Sequence, residues 1–99
     1  MDPLPADIET RLSQDYPVES LPAVSCSLAT YLGSERDRVI RCIIHLSAGD
    51  PQRVSYYLGI ATQDYRDVIY WAEYDKDDRR VRDFNRPFLP DFQIAAGHD

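Results

Sequence analysis

Apolar residues recur at helical spacing in five stretches of the chain, separated by proline, glycine or a capping polar residue. Ile8, Leu12 and Tyr16 lie four apart and predict a helix over about residues 6–14, opened by Pro5, with Asp7 and Glu9 at the positive end of its dipole, and closed by Pro17. Leu21, Val24, Leu28 and Leu32, with Tyr31, predict a second helix over 21–32. Ser20 is its expected N-cap, Pro22 fits its first turn and Gly33 stops it. In the third helix Val39, Ile40, Ile43, Ile44 and Ser47 form a broad buried face, with Arg38, Arg41, His45 and Ala48 marking the opposite one. Ser34 with Asp37 three residues on offers a capping box, and Gly49 ends the helix. The run 39–44 has the composition of a β-strand, but the caps and about three turns of apolar stripe favour helix.

Asp50-Pro51 is a strong helix start, an N-cap carboxylate followed by proline at the first helical position. Val54, Tyr57, Leu58 and Ala61 form the buried stripe behind it, and Gly59 suggests close approach of another backbone. A fifth helix is expected over 65–74, with Asp64 as N-cap and Tyr65, Val68, Ile69 and Ala72 inward. No glycine or proline separates the fourth helix from the fifth, so the alternative is one helix over 51–74; the break is placed near 62–64. The predicted fold is all-α: a small bundle of four to five helices, its best-defined part the hairpin 34–74, with an irregular C-terminal tail containing Phe and Pro.

That tail begins after a solvated charge run at 75–80. All three phenylalanines, Phe84, Phe88 and Phe92, lie in it, and Pro87 and Pro90 forbid a regular helix through them. The domain division is therefore a helical domain over 1–80 and a tail over 81–99 that packs on the domain or on a partner.

Length and charge narrow the class. Ninety-nine residues hold one core, and 43% hydrophobic with 28% charged residues is a globular composition. No apolar run approaches the roughly 18 residues that span a bilayer. The first residues lack the basic start and apolar segment of a secretory signal, so a cytoplasmic location is expected. A net charge of −6 opposes direct nucleic-acid binding, because phosphate contacts need clustered Lys and Arg. Lys76 is the one lysine beside ten arginines, a bias toward bidentate pairing with carboxylates. Cys26 and Cys42 are expected to be reduced, buried small hydrophobes.

Catalytic and cofactor signatures are missing. His45 has Cys42 at i−3 but no further ligand pair, so no metal is expected, and the isolated glycines cradle no phosphate. The densest chemistry lies at 64–74, where Arg66, Asp67, Tyr70, Trp71 and Tyr74 combine charge with flat aromatic area, the mixture enriched at binding hot spots. The bland alternative is a core helix whose tyrosines show their hydroxyls to water.

The segments 38–50, ending Leu46-Ser47-Ala48-Gly49-Asp50, and 61–74, containing Asp64-Tyr65-Arg66-Asp67 and Ala72-Glu73-Tyr74, resemble a group of small uncharacterised bacterial helical proteins. In that group a helix ending L-[AS]-x-G-D leads to D-[YW]-R-D-x-x-x-x-A-E-Y. The resemblance implies the hairpin and no chemistry. The expected function is a non-enzymatic protein-interaction module, meaning an adaptor, regulator or small subunit. It would bind a protein partner or a second copy through Arg66, Asp67, Tyr70, Trp71, Tyr74, Phe84, Phe88 and Phe92, without cofactor, nucleic acid or membrane. One alternative is an acidic inhibitor or nucleic-acid mimic occupying a basic site on an enzyme; another is a small enzyme using the Asp67 and Glu73 carboxylates.

Overall fold

In a computed structural model, which describes residues 3–88, the helices are α1 (Ala6–Asp15), α2 (Leu21–Ala29), α3 (Arg36–Ser47) and α4 (Pro51–Glu73). No strand forms among the described residues, where a lone antiparallel bridge pairs Tyr74 with Arg80. No helix among them is long and apolar enough to cross a membrane.

The centre is α3, which packs chiefly along α4. Val39, Ile40, Cys42, Ile43 and Ile44 are fully buried against Ile8 and Leu12 of α1, Val24 and Leu28 of α2, and Val54, Val68 and Ala72 of α4. Each large aliphatic side chain sealed there stabilises the fold by about 1.5–3 kcal/mol. The β-branched run at 39–44 is therefore helical because its residues find apolar neighbours on almost every side. Arg41, expected on the outer face, is buried as well, and His45 is half-buried; the C-terminal segment covers them.

The helix ends depart from expectation in physical detail. α2 stops at Ala29 rather than at 32, and Leu32 is 64% exposed. Its end is closed from a distance, Arg36 donating to the carbonyls of Ala29 (3.2 Å) and Tyr31 (2.8 Å). α3 opens at Arg36, not at 34; Glu35 before it is left-handed (φ 50°) and supplies no side-chain cap. Beyond α3, Ala48 (φ 51°) and Gly49 (φ 81°) turn the chain. A Cβ on Gly49 would lie 3.0 Å from the Asp15 carbonyl, so both conformation and space require glycine. Asp50 then caps α4, its carboxylate accepting from the Gln52 amide at 2.9 Å. Gly59 has open space around it rather than a close backbone. Cys26 is exposed, while Cys42 is buried as expected.

The hydrogen-bonded helix α4 spans both predicted helices but is not straight. Asp64 is extended (φ −155°, ψ 98°), and its carboxylate accepts from the Arg66 amide at 3.1 Å to start the second arm. The rings of Tyr57 and Trp71 lie 6.4 Å apart. A straight helix would separate these positions by about 21 Å along its axis, further than two side chains bridge. The arms 51–63 and 65–73 therefore bend sharply toward each other at Asp64.

After α4 the chain reverses over 75–79. The Asp75 carboxylate accepts the amides of Asp77 (2.8 Å) and Arg79 (3.0 Å), and Asp78 is left-handed (φ 61°). Residues 80–88 then return as an irregular strap across α4, α3 and α1.

Candidate functional site

The second arm of α4 carries two surfaces. The inner one centres on Glu73, whose side chain has no solvent exposure. Its carboxylate takes a bidentate grip from Arg38 of α3, with Nη2 2.7 Å from Oε1 and Nε 2.9 Å from Oε2. Arg80 Nε donates to Oε1 at 3.1 Å, and the Phe84 amide donates to Oε2 at 3.0 Å. The Glu73 carbonyl also accepts the amides of Val81 (2.7 Å) and Arg82 (3.2 Å). Burial pushes the Glu73 pKa upward, but the Arg38 and Phe84 hydrogen bonds and the charges of Arg38 and Arg80 outweigh it, and the carboxyl is held below its ordinary value.

A second clamp repeats this one turn further along α3. Arg41 Nε and Nη2 reach Asp7 of α1 at 2.9 and 3.2 Å, and Asp7 Oδ2 accepts the Phe88 amide at 2.9 Å. Burial raises the Asp7 pKa and the Arg41 and Phe88 bonds lower it further than burial raises it. Arg38 and Arg41 thus hold two carboxylates that each receive one strap amide, from residues four apart. Between them Phe84 packs on His45 (ring centroids 5.1 Å) and Phe88 lies under the Arg11 guanidinium (4.9 Å). Burial, with the charges of Arg82 and Arg11, lowers the His45 pKa and keeps the imidazole neutral.

The outer surface is aromatic. Arg66, Tyr70 and Tyr74 line one groove of about 500 Å³ with Tyr65, Ile69, Glu35 and Arg38. Tyr70 and Tyr74 stack at 5.2 Å, and the Tyr70 hydroxyl donates to Asp78. Arg66 pairs with Asp64 at 3.0 Å. Trp71 points elsewhere, edge-on to Tyr57, which meets Tyr56 at 5.1 Å. Tyr56, Tyr70 and Trp71 remain 62%, 44% and 46% exposed.

No family model, curated protein or solved structure matches the chain.

Of the residues singled out in the sequence, Arg66, Tyr70 and Tyr74 share a groove, while Trp71 joins a separate aromatic set and Asp67 is exposed. Phe84 and Phe88 pack against the domain's own core, and Phe92 lies outside the described residues. Glu73, grouped in the sequence with the exposed acids, is sealed inside. Sequence reasoning missed Arg38, Arg41 and Asp7 as members of one network. The available signal was Arg at i and i+3 around the apolar run 39–44, which calls for two acids on whatever covers them. Among the described residues no group of three or more His, Cys, Asp or Glu is arranged to hold a metal ion.

Proposed function

We propose that the chain is a non-enzymatic protein-interaction module whose contact surface is the outer face of the second arm of α4. The observation that carries this reading is the exposure of Tyr70 and of Trp71, whose ring meets Tyr57 and through it the exposed Tyr56, on a domain that seals even a glutamate inside. Tyrosine and tryptophan offer wide contact area for little loss of side-chain freedom, and arginine at the edge adds directional bonds. Arg66 and Asp67 border this face, and Tyr74 extends its groove. The net charge of −6 makes a basic protein surface the favoured complement, with binding that weakens as salt rises. The buried carboxylate of Glu73 is committed to three donors, which supports a structural role for it over a chemical one.

A photo-crosslinking amino acid at position 71, with the exposed position 18 as control, tests the reading. The expected result is a discrete protein adduct from position 71 alone. With the purified partner, Tyr70→Ser and Trp71→Ser should each weaken binding about tenfold or more. Equal labelling from both positions, no adduct, or binding indifferent to both substitutions would overturn it.

A further inference from the structure

The strap 80–88 is held as a ligand is held. Two of its anchors are remote in sequence, the Phe88 amide on Asp7 and Arg41 on the Phe84 carbonyl (3.3 Å), while Arg80, Val81, Arg82 and Phe84 bond to Glu73 at the end of α4. The receiving carboxylates are oriented by Arg38 and Arg41, which belong to α3 and not to the strap. Most of the strap is itself exposed; only Phe84 and Phe88 sink partway into the core. One short reversal at 75–79, with a left-handed non-glycine at Asp78, joins the strap to its receptor. Bonds within that reversal keep the strap on its own domain.

We propose that the groove formed by Asp7, Arg41, His45 and Glu73 is a receptor for an extended segment, and that its exchangeable occupant is the strap of a second copy of this chain. Every bond the strap makes to its own helices is available, unchanged, to the identical strap of another copy. A reciprocal exchange satisfies both receptors with two-fold symmetry and leaves no sheet edge or apolar face unmatched. Opening the reversal is the only covalently local change required, and short strained hinges favour that outcome. The exchange uses the strap groove and not the aromatic face of α4, which meets the hinge at the Tyr70–Asp78 hydrogen bond. Partner binding at Tyr70 and Trp71 is read by crosslinking and exchange by mass, so the two readings fail separately.

Deleting residues 75–79 from the full chain joins Tyr74 directly to Arg80, leaves no residue for the reversal and stops the strap from reaching its own groove. Light scattering should then report twice the mass of the shortened chain. In that dimer the Phe84 and Phe88 amides should exchange with solvent as slowly as in the parent. A monomer with rapidly exchanging Phe84 and Phe88 amides, or a dimer in which those amides are unprotected, overturns the proposal. Should the deletion unfold the domain, seen as lost protection in α3, the full-length Asp78→Gly chain decides. Glycine removes the left-handed strain; with Tyr70→Phe in both chains to cancel the lost Tyr70–Asp78 hydrogen bond, dimerisation of the glycine chain at millimolar concentration should be about tenfold weaker than that of its Asp78 counterpart. A parent chain that stays monomeric there, or equal dimerisation of the two, counts against exchange.

Discussion

Glu73 and Trp71 sit two residues apart on one helical arm and belong to opposite kinds of surface. Glu73 is sealed, takes hydrogen bonds from two arginines and a backbone amide, and ties α4 to α3 and to the strap. Trp71 is nearly half exposed and lies edge-on to Tyr57 of the same helix. The difference teaches that one arm can turn a single charge inward and its large aromatic rings outward while Val68, Ile69 and Ala72 still fill the core. That inversion is affordable because a carboxylate with a bidentate arginine and further donors meets the desolvation requirement, whereas one with fewer partners would not. Aromatic groups left outside carry no comparable structural duty.

The largest expected effect breaks the interior half of this contrast. Glu73→Ala leaves the Phe84 amide without its acceptor and reduces Arg38 to Glu35 and Arg80 to Asp83, and should destabilise the domain by about 3 kcal/mol. Thermal unfolding followed by circular dichroism should show a midpoint lower by about 15 °C or more. Asp7→Asn keeps the shape of the second clamp but removes its charge. It should cost about 1–3 kcal/mol, measured by urea unfolding, with the loss of amide protection concentrated at Phe88. An effect at Phe88 smaller than at residues of α4 would dissociate this clamp from the strap.

Gly59→Ala acts in the opposite direction. The position is helical and has open space for a methyl group, so the substitution should stabilise by about 0.5–1 kcal/mol in the same assay. Destabilisation there would reveal a backbone contact.

Acidification separates the parts of the clamp face by sign and range. His45 has a folded pKa below its ordinary 6.5, so its contribution is complete above that value and is lost as pH falls toward the lowered one. Arg11, Arg82 and the Phe84 ring face it, and a protonated imidazole there should loosen the strap first. Glu73 and Asp7, with folded values below their ordinary 4.5 and 3.8, keep their full contributions above those ordinary values and lose them progressively as pH falls from there through the lowered ones. Protection of the Phe84 amide, relative to its intrinsic exchange rate at each pH, should therefore fall modestly below about pH 6.5, well before global unfolding. Protection at Phe84 that rises on acidification would contradict a neutral His45.

The smallest effect belongs to the outer face: Tyr70→Ser and Trp71→Ser should each change stability by about 0.5 kcal/mol or less. A loss comparable to that of Glu73→Ala would make the aromatics part of the scaffold.

Much of the scaffold was legible because its signals are local. Pro5, Asp50-Pro51 and Gly49 marked helix boundaries, and the 3.6-residue spacing of Val39 to Ile44 marked the central helix. The bend near Asp64 was also legible, since an aspartate followed by an amide two residues on is a cap in sequence as in space. Leu32 misled because an apolar residue in phase with a stripe says nothing about where the helix stops; Arg36, seven residues beyond Ala29, closes it. The clamps were not legible for the same reason. Asp7 and Phe88 stand 81 residues apart, and Arg38 and Glu73 stand 35 apart. Charge alone does not distinguish an acid awaiting an arginine from an acid facing water. The aromatic cluster was visible as composition, but its division into a Tyr70–Tyr74 groove and a Tyr57–Trp71 pair depends on the bend and on helical phase together.

The division of α4 into an inner face that holds the strap and an outer aromatic face that does not is tested most directly by amide exchange at Phe84 and Phe88 in three chains: the parent, Glu73→Gln, and the Tyr70→Ser/Trp71→Ser double variant. Protection should be present in the parent, retained in the double variant and lost at Phe84 in Glu73→Gln while α3 stays protected. Exchange of Phe84 at the unfolded rate in the parent, or its loss of protection in the double variant, would contradict the division.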